Sequence, residues 1–213
     1  MIDIKISSCT VGTWATNSYL ISYQDNFIIV DPGDDFQKLE NCFEQLDTHK
    51  TKTNIVILAT HGHFDHVGAI DFFKKKYHCE LGIHSLDRRI LGQANLYRKI
   101  AGDKKIYSLP TIDFFLDNIR QLDFGSLNIK FHHIPGHSEG SVAIEINRCL
   151  FSGDVLLEKA IGRTDLPGGN RIKLDHSIKY LIDNFIDYEI YPGHGKTFVL
   201  TREKADFFQE LIL

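Results

Sequence analysis

The sequence predicts an α/β fold in which two sheets pack face to face and carry helices on their outer faces. Three observations lead there. Strand and helix patterns interleave along the whole chain, and the strand-rich stretches fall into two halves, each accompanied by helices. A cluster of three histidines and one aspartate, His61-Gly62-His63-Phe64-Asp65-His66, sits where a strand pattern gives way to a helical one, the place where open α/β architectures bind ligands. With 213 residues the chain fits one large domain, read over 1–213.

Strands are predicted at 2–9, 17–23 and 26–31, the last ending in the turn signal Asp31-Pro32-Gly33. Phe36, Leu39, Phe43 and Leu46 mark a first amphipathic helix, which Asp34 or Asp35 is placed to cap. The apolar, β-branched run 54–60 reads as a buried strand, and Ile70, Phe73 and Tyr77 place a helix over 67–77. Leu81 to His84 is a short strand. The segment from Asp87 to Lys105 is charged and less regular, with room for one helix. Strands follow at Asp113–Leu116, Ile119–Leu122, Leu127–Ile134, Ser141–Ile146 and Cys149–Ser152. Leu174, Ile178, Leu181, Ile182 and Phe185 mark a helix, Glu189–Tyr191 a short strand, and 202–212 a last helix.

Composition narrows the function classes. A 43% hydrophobic and 24% charged chain excludes disorder and membrane spanning. The net charge of −4, with Lys and Arg scattered, argues against nucleic acid as a partner, since phosphate binding needs concentrated positive charge. Cys9, Cys42, Cys79 and Cys149 lack CxxC spacing and read as reduced thiols rather than a disulfide framework. The start, Met1-Ile2-Asp3-Ile4-Lys5-Ile6, alternates like a strand and has neither a basic stretch nor an apolar export segment, so a cytoplasmic location is expected.

Imidazole and carboxylate are the ligand types that suit zinc and its first-row neighbours. Three further landmarks each follow a predicted strand: Pro135-Gly136-His137-Ser138, Ser152-Gly153-Asp154 and Tyr191-Pro192-Gly193-His194-Gly195. With the cluster they supply seven oxygen or nitrogen ligands, His61, His63, Asp65, His66, His137, Asp154 and His194. That is enough for two divalent ions, with a shared carboxylate and open positions for solvent. Two such ions, about 3.5–4 Å apart, clamp one hydroxide and polarise the bond it attacks.

In this order, HxHxDH, PGHS, SGD and PGHG resemble the metallo-β-lactamase superfamily over about Asn17 to Thr197. The resemblance implies an αββα sandwich of two mixed sheets, with metals in a shallow cleft at one sheet edge. It assigns His61, His63 and His137 to one metal, Asp65, His66 and His194 to the other, and Asp154 to both. The segment Ile161-Gly162-Arg163-Thr164-Asp165-Leu166-Pro167-Gly168-Gly169 is similar to small bacterial glyoxalase II-like proteins, which resemble hydroxyacylglutathione hydrolases. The activity implied is hydrolysis of a small-molecule S-acyl thioester by a metal-bound hydroxide at a binuclear site. Zinc is the expected metal, and iron or manganese suits the same donors. Asp65 is the candidate catalytic residue, orienting the hydroxide as well as binding metal. Arg163 and Lys196 are the candidate substrate-binding residues. Full-length glyoxalase II carries a C-terminal helical domain that makes much of the glutathione contact. Here about 19 residues follow His194, so a thioester is a firmer expectation than glutathione as its thiol.

Rivals on the same fold differ in chemistry. A β-lactamase is disfavoured by the absence of an export signal and by Asp154, and an RNA-processing nuclease by the absence of a basic face. The alternative is a mononuclear iron sulfur (persulfide) dioxygenase: such proteins share the ligands and resemble this chain even at Gly162-Arg163-Thr164-Asp165, but use one iron and molecular oxygen. A non-catalytic metal-stabilised module is disfavoured because all seven ligands are kept. Among the other candidates, His132 and His133 face opposite ways on one strand, with surface exposure expected. His84 could face the cleft, Asp31 holds its turn or backs a ligand, and Trp14 and Tyr19 line the cleft or the core.

Overall fold

The computed structural model describes residues 4–46 and 54–212. Strands β1 (Lys5–Val11), β2 (Thr16–Tyr23) and β3 (Asn26–Val30) form an antiparallel meander. After helix α1 (Phe36–Leu46), β4 (Asn54–Leu58) returns parallel to β3. Helices α2 (Phe64–Val67) and α3 (Ile70–Tyr77) lead into β5 (Glu80–Ile83). A 3-10 turn (Ser85–Asp87), α4 (Arg88–Gly92) and α5 (Ala94–Ile100) then lead to β6 (Phe114–Phe115). β5 and β6 continue the parallel half, giving a first sheet ordered β1-β2-β3-β4-β5-β6.

The second sheet begins with β7 (Gln121–Phe124), β8 (Leu127–His133), β9 (Val142–Ile146) and β10 (Cys149–Gly153), each antiparallel to its predecessor. A small hairpin of β11 (Leu156–Leu157) and β12 (Ala160–Ile161) precedes α6 (Arg171–Asn184). Then β13 (Glu189–Pro192) pairs parallel to β10, β14 (Phe198–Val199) pairs antiparallel to β13, and α7 (Arg202–Leu211) follows. The sheet order is β14-β13-β10-β9-β8-β7.

Side-chain alternation explains why the sheets stack. Tyr19, Ile21, Ile28, Val30, Val56 and Leu58 of the first sheet face Ile129, Val142, Ile144, Ile146 and Phe151 of the second in one buried cluster. Their sequence neighbours Leu20, Phe27, Ile29 and Ile57 point the other way, onto Leu39 and Phe43 of α1 and Phe73 of α3. Outside the second sheet, Ala143, Leu150 and Ile190 meet Leu174, Ile178 and Leu181 of α6 and Phe208 of α7. This is the αββα sandwich that the sequence predicts. The helices start where their caps dictate: Asp35 accepts from Lys38 N at 3.3 Å, Asn170 from Lys173 N at 3.0 Å and Thr201 from Lys204 N at 3.2 Å.

Several predicted elements are corrected. The first strand runs Lys5–Val11 rather than 2–9, and residues 1–3 lie outside those described. The helix expected over 67–77 is two, and it begins early, so Asp65 and His66 stand on a helical turn rather than a loop. The irregular segment after Asp87 holds two helices rather than one. Phe114–Phe115 pairs with β5 in the first sheet, so the first half of the sandwich extends further along the chain than the strand pattern suggests. The strand expected at Ile119–Leu122 is displaced to Gln121–Phe124, and the hairpin β11–β12 and strand β14, two residues each, add to the predicted strands.

Candidate metal centre

β3, β4 and β5 run parallel, as do β8, β10 and β13, so the carboxyl ends of the six strands gather at one edge of the sandwich. Backbone bonds stitch the two sheets together there: Val142 N–H donates to Thr60 O at 2.8 Å, and Asn17 N–H to Gly193 O at 2.7 Å. His61 and His63 follow β4, His137 follows β8, Asp154 follows β10 and His194 follows β13. The β10–β13 register slips between Phe151 and Gly153, and Gly153 takes φ +51°, a local kink that re-aims the next residue, Asp154. Gly193 is required by close approach: a Cβ there would collide with Asp154 Oδ1 and lie 2.7 Å from His66 Cε1.

All seven predicted donors converge, in two sets. Ligand atoms of His61, His63 and His137 lie within 4.8 Å of one another, as do those of Asp65, His66 and His194. His63 Nδ1 faces His137 Nε2 at 2.8 Å. In the second set Asp65 Oδ2 lies 3.5 Å from His66 Nε2 and 3.3 Å from His194 Nε2. Asp154 stands between the sets, with Oδ1 3.5 Å from His66 Nε2 and Oδ2 3.4 Å from His194 Nε2 and 3.6 Å from His137 Nε2.

The outer nitrogens of His61, His66 and His137 are held by fixed partners, and this sets their tautomers. Thr60 Oγ1 donates to Asp31 Oδ2 at 2.6 Å and is left to accept from His61 Nδ1 at 3.0 Å. His66 Nδ1 donates to Asp31 Oδ2 at 3.0 Å, and His137 Nδ1 to the Arg163 carbonyl at 2.9 Å. Each bond leaves an Nε2 lone pair aimed inward, the arrangement metal-binding histidines need. Asp31, at φ +50°, is thus the carboxylate behind two of the rings. Thr16 Oγ donates to Asp65 Oδ2 at 3.0 Å. Neither Thr16 nor Thr60 carries a sequence signal of its own.

The donors fit divalent cations. Among the described residues, His61 Nε2, His63 Nε2 and Asp154 Oδ1 are buried polar atoms without a hydrogen-bond partner, each costing about 1–3 kcal/mol if left so. Burial, together with His66, His63 and His137, pushes His61 well below the usual imidazole range; burial and His137 bring His63 to about 3. Both are therefore neutral, ready donors. The second set is polarised instead. Burial opposes ionisation of Asp65, but His66 and His194 bring it down to about 2. Burial likewise opposes a charged His194, but Asp154 and Asp65 lift it to about 9. His66, against the same burial, is raised well above its usual range by Asp65 and Asp154. Two buried carboxylates here demand positive charge, which protons supply until a cation displaces them.

The sequence profile described as the Metallo-beta-lactamase superfamily matches residues 11–194. The chain belongs to this superfamily. Its metallo-β-lactamase fold implies divalent metal ions. The chain is 32% identical to the probable metallo-hydrolase YqgX of Bacillus subtilis, covering 93% of this chain and 94% of the relative. It is 33% identical to the hydroxyacylglutathione hydrolase GloC of Haemophilus influenzae, covering 85% of each. Among solved structures it is similar to BLEG-1, a B3 metallo-β-lactamase, with TM-score 0.82, 30% identity and coverage of 97% of this chain and 96% of that one. It is also similar to TTHA1623, solved in a di-iron-bound form, with TM-score 0.80, 29% identity and coverage of 91% and 94%.

Around this metallo-β-lactamase site the remaining candidates take defined places. Arg163 forms a two-bond ion pair with Asp165 at 2.7 and 2.5 Å, while its carbonyl holds His137. Lys196 is exposed, two residues beyond His194. Trp14 is 41% exposed and meets Phe64 edge-on, whereas Tyr19 is core, its hydroxyl donating to Pro192 O at 2.6 Å. His84 and His133 stack on each other at 4.2 Å, and His132 is partly buried between Glu145 and Tyr180 rather than at the surface. None of the three belongs to the two donor sets. Among the described residues no helix is long and apolar enough to cross a membrane.

Proposed function

We propose that the protein hydrolyses small-molecule S-acyl thioesters of the hydroxyacylglutathione class at a binuclear zinc centre. His61, His63 and His137 would hold one ion, Asp65, His66 and His194 the other, and Asp154 would serve both. The observation that carries this reading is the placement of Asp154, whose oxygens lie 3.6 Å from His137 Nε2 on one side and 3.4–3.5 Å from His194 and His66 Nε2 on the other. The identity to GloC supports the substrate class.

Bound divalent ions supply a Lewis acid for the carbonyl and bring the pKa of water to about 7. The chain supplies the rest. Asp31, Thr60 and the Arg163 carbonyl fix the His61, His66 and His137 rings, which lessens the reorganisation needed on loading. Asp65, oriented by the Thr16 hydroxyl, accepts a hydrogen bond from the attacking water and aims its lone pair at the thioester carbonyl. A thiolate leaves without protonation, so the site needs no general acid. Arg163 and Lys196 attract a carboxylate of the thiol carrier, Arg163 by exchanging its exposed partner Asp165 for the substrate anion.

Free-thiol release from a hydroxyacyl thioester tests the reading. His63→Ala and His194→Ala each lower turnover by orders of magnitude while the cooperative unfolding transition is kept, because the sandwich core is built from other residues. Retained turnover in either variant overturns it.

A further inference from the structure

Asp87 is fully buried at the end of the Ser85–Asp87 turn, which His84 caps by accepting from Leu86 N. Its carboxylate accepts three hydrogen bonds. Gly62 N–H donates to Oδ2 at 2.8 Å, Ser138 Oγ–H to the same oxygen at 2.7 Å, and Gly140 N–H to Oδ1 at 2.7 Å. Gly62 lies between His61 and His63, and Ser138 directly follows His137. The first pair is delivered by the first sheet and His137 by the second. One side chain therefore fastens together the two chain segments that bring the three-histidine set into register.

The fit is close and selects a carboxylate. A Cβ on Gly62 would lie 2.9 Å from the Asp87 carbonyl, and one on Gly140 2.8 Å from Asp87 Cγ, so neither segment has slack to move inward. Backbone N–H donors occupy both oxygens, one on each. An asparagine would set its own NH2 against one of them, leaving a buried donor without an acceptor. Ser138 is locked in turn: its N–H donates to Ser141 Oγ at 3.0 Å, and its hydroxyl lies 2.8 Å from the same oxygen. No bond joins Asp87 to the Asp65, His66 or His194 side chains.

We infer that Asp87 is the positioning residue of the three-histidine set: it fixes His61 and His63 relative to His137, and thereby the affinity and geometry of the ion they hold. This rests on the binuclear reading above. Partners behind metal ligands typically contribute about 10–100-fold in affinity.

The test is cobalt(II) loading of the full chain, followed by visible absorption and by competition with a chelator. In Asp87→Asn one of two ions is held about 10–100-fold more weakly and its absorption band shifts. The other ion keeps its affinity and spectrum. A residue that only supports the fold would lower both affinities together with the unfolding midpoint, or neither, and either result overturns the assignment. If Asp87→Asn does not accumulate folded, Ser138→Ala removes one bond of the same clip: selective weakening of one ion supports the inference, and unchanged binding of both overturns it. Wild-type chain that binds fewer than two cobalt ions would overturn the binuclear reading instead, so the two failures are distinguishable.

Discussion

Arg98 offers the sharpest stability test of how the metal loop is held. Its guanidinium is 1% exposed, bonds Asp34 through both terminal nitrogens at 2.6 and 2.5 Å, Asp103 at 2.8 Å and the Phe64 carbonyl at 2.8 Å. It also stacks over Phe64 and Tyr107, at 5.1 and 4.4 Å from the ring centres. Arg98→Met keeps much of the volume but strands the buried Asp34 carboxylate. Breaking a buried pair from one side costs about 3–5 kcal/mol. At about 2–4 °C per kcal/mol for a domain of this size, the melting temperature falls by about 6–20 °C. Most of that penalty is the orphaned charge rather than lost attraction. Asp34→Asn placed on Arg98→Met therefore costs less than the two single changes summed, with a coupling of about 1–3 kcal/mol. Urea unfolding of the four proteins at pH 7 measures it, provided the m-values agree. A loss under 1 kcal/mol for Arg98→Met, or strict additivity, would refute the argument that this pair clamps α5 to the segment between β3 and α1.

Asp154→Asn disrupts binding of both ions, because an amide is a weaker ligand and cannot neutralise two dications; element analysis showing that one ion survives at full affinity would remove the bridging role. Arg163→Ala and Lys196→Ala raise KM for an anionic thioester far more than they lower kcat, and matter much less for a neutral one; equal effects on both substrates would leave Arg163 as a loop residue paired to Asp165. Burial and the stacked His133 hold His84 below the usual 6.5 in the folded chain. The unfolded state therefore takes up a proton that the folded state refuses, so this contribution is complete above pH 6.5 and is lost as pH falls from there towards the folded value. Replacing His84 by Asn flattens the acid side of the stability curve, and an unchanged slope would contradict the shift.

What the sequence reveals depends on how local the cause is. The alternation through 19–30 and 54–58 shows both faces of the first sheet because each residue answers to the layer it touches. The spacing of Phe36, Leu39 and Phe43 shows α1 for the same reason. The seven donors are legible because four sit in one run and the others beside glycines at strand ends. The misses are non-local. The strand at Phe114–Phe115 is legible, but its place in the first sheet is set only by its pairing with Gly82 and Ile83. The break between Val67 and Ile70 leaves the apolar pattern intact, so one helix was expected where two form. Asp87 acts on residues 25, 51 and 53 positions away, and nothing around it marks it out from a solvated acid. Arg163 shows the same limit differently. Its side chain is legible by type, while the contact it makes with the site is through its carbonyl, which any residue carries.

The central claim, hydrolysis at two ions rather than oxygen chemistry at one, is tested most directly by thiol release from a hydroxyacyl thioester under strictly anaerobic conditions, on protein of known metal content. The account predicts thiol release at the aerobic rate by chain holding about two ions, abolished by a chelator and restored by zinc. Absence of thiol release from fully loaded protein, with oxygen uptake on a persulfide by chain holding a single iron, would contradict it.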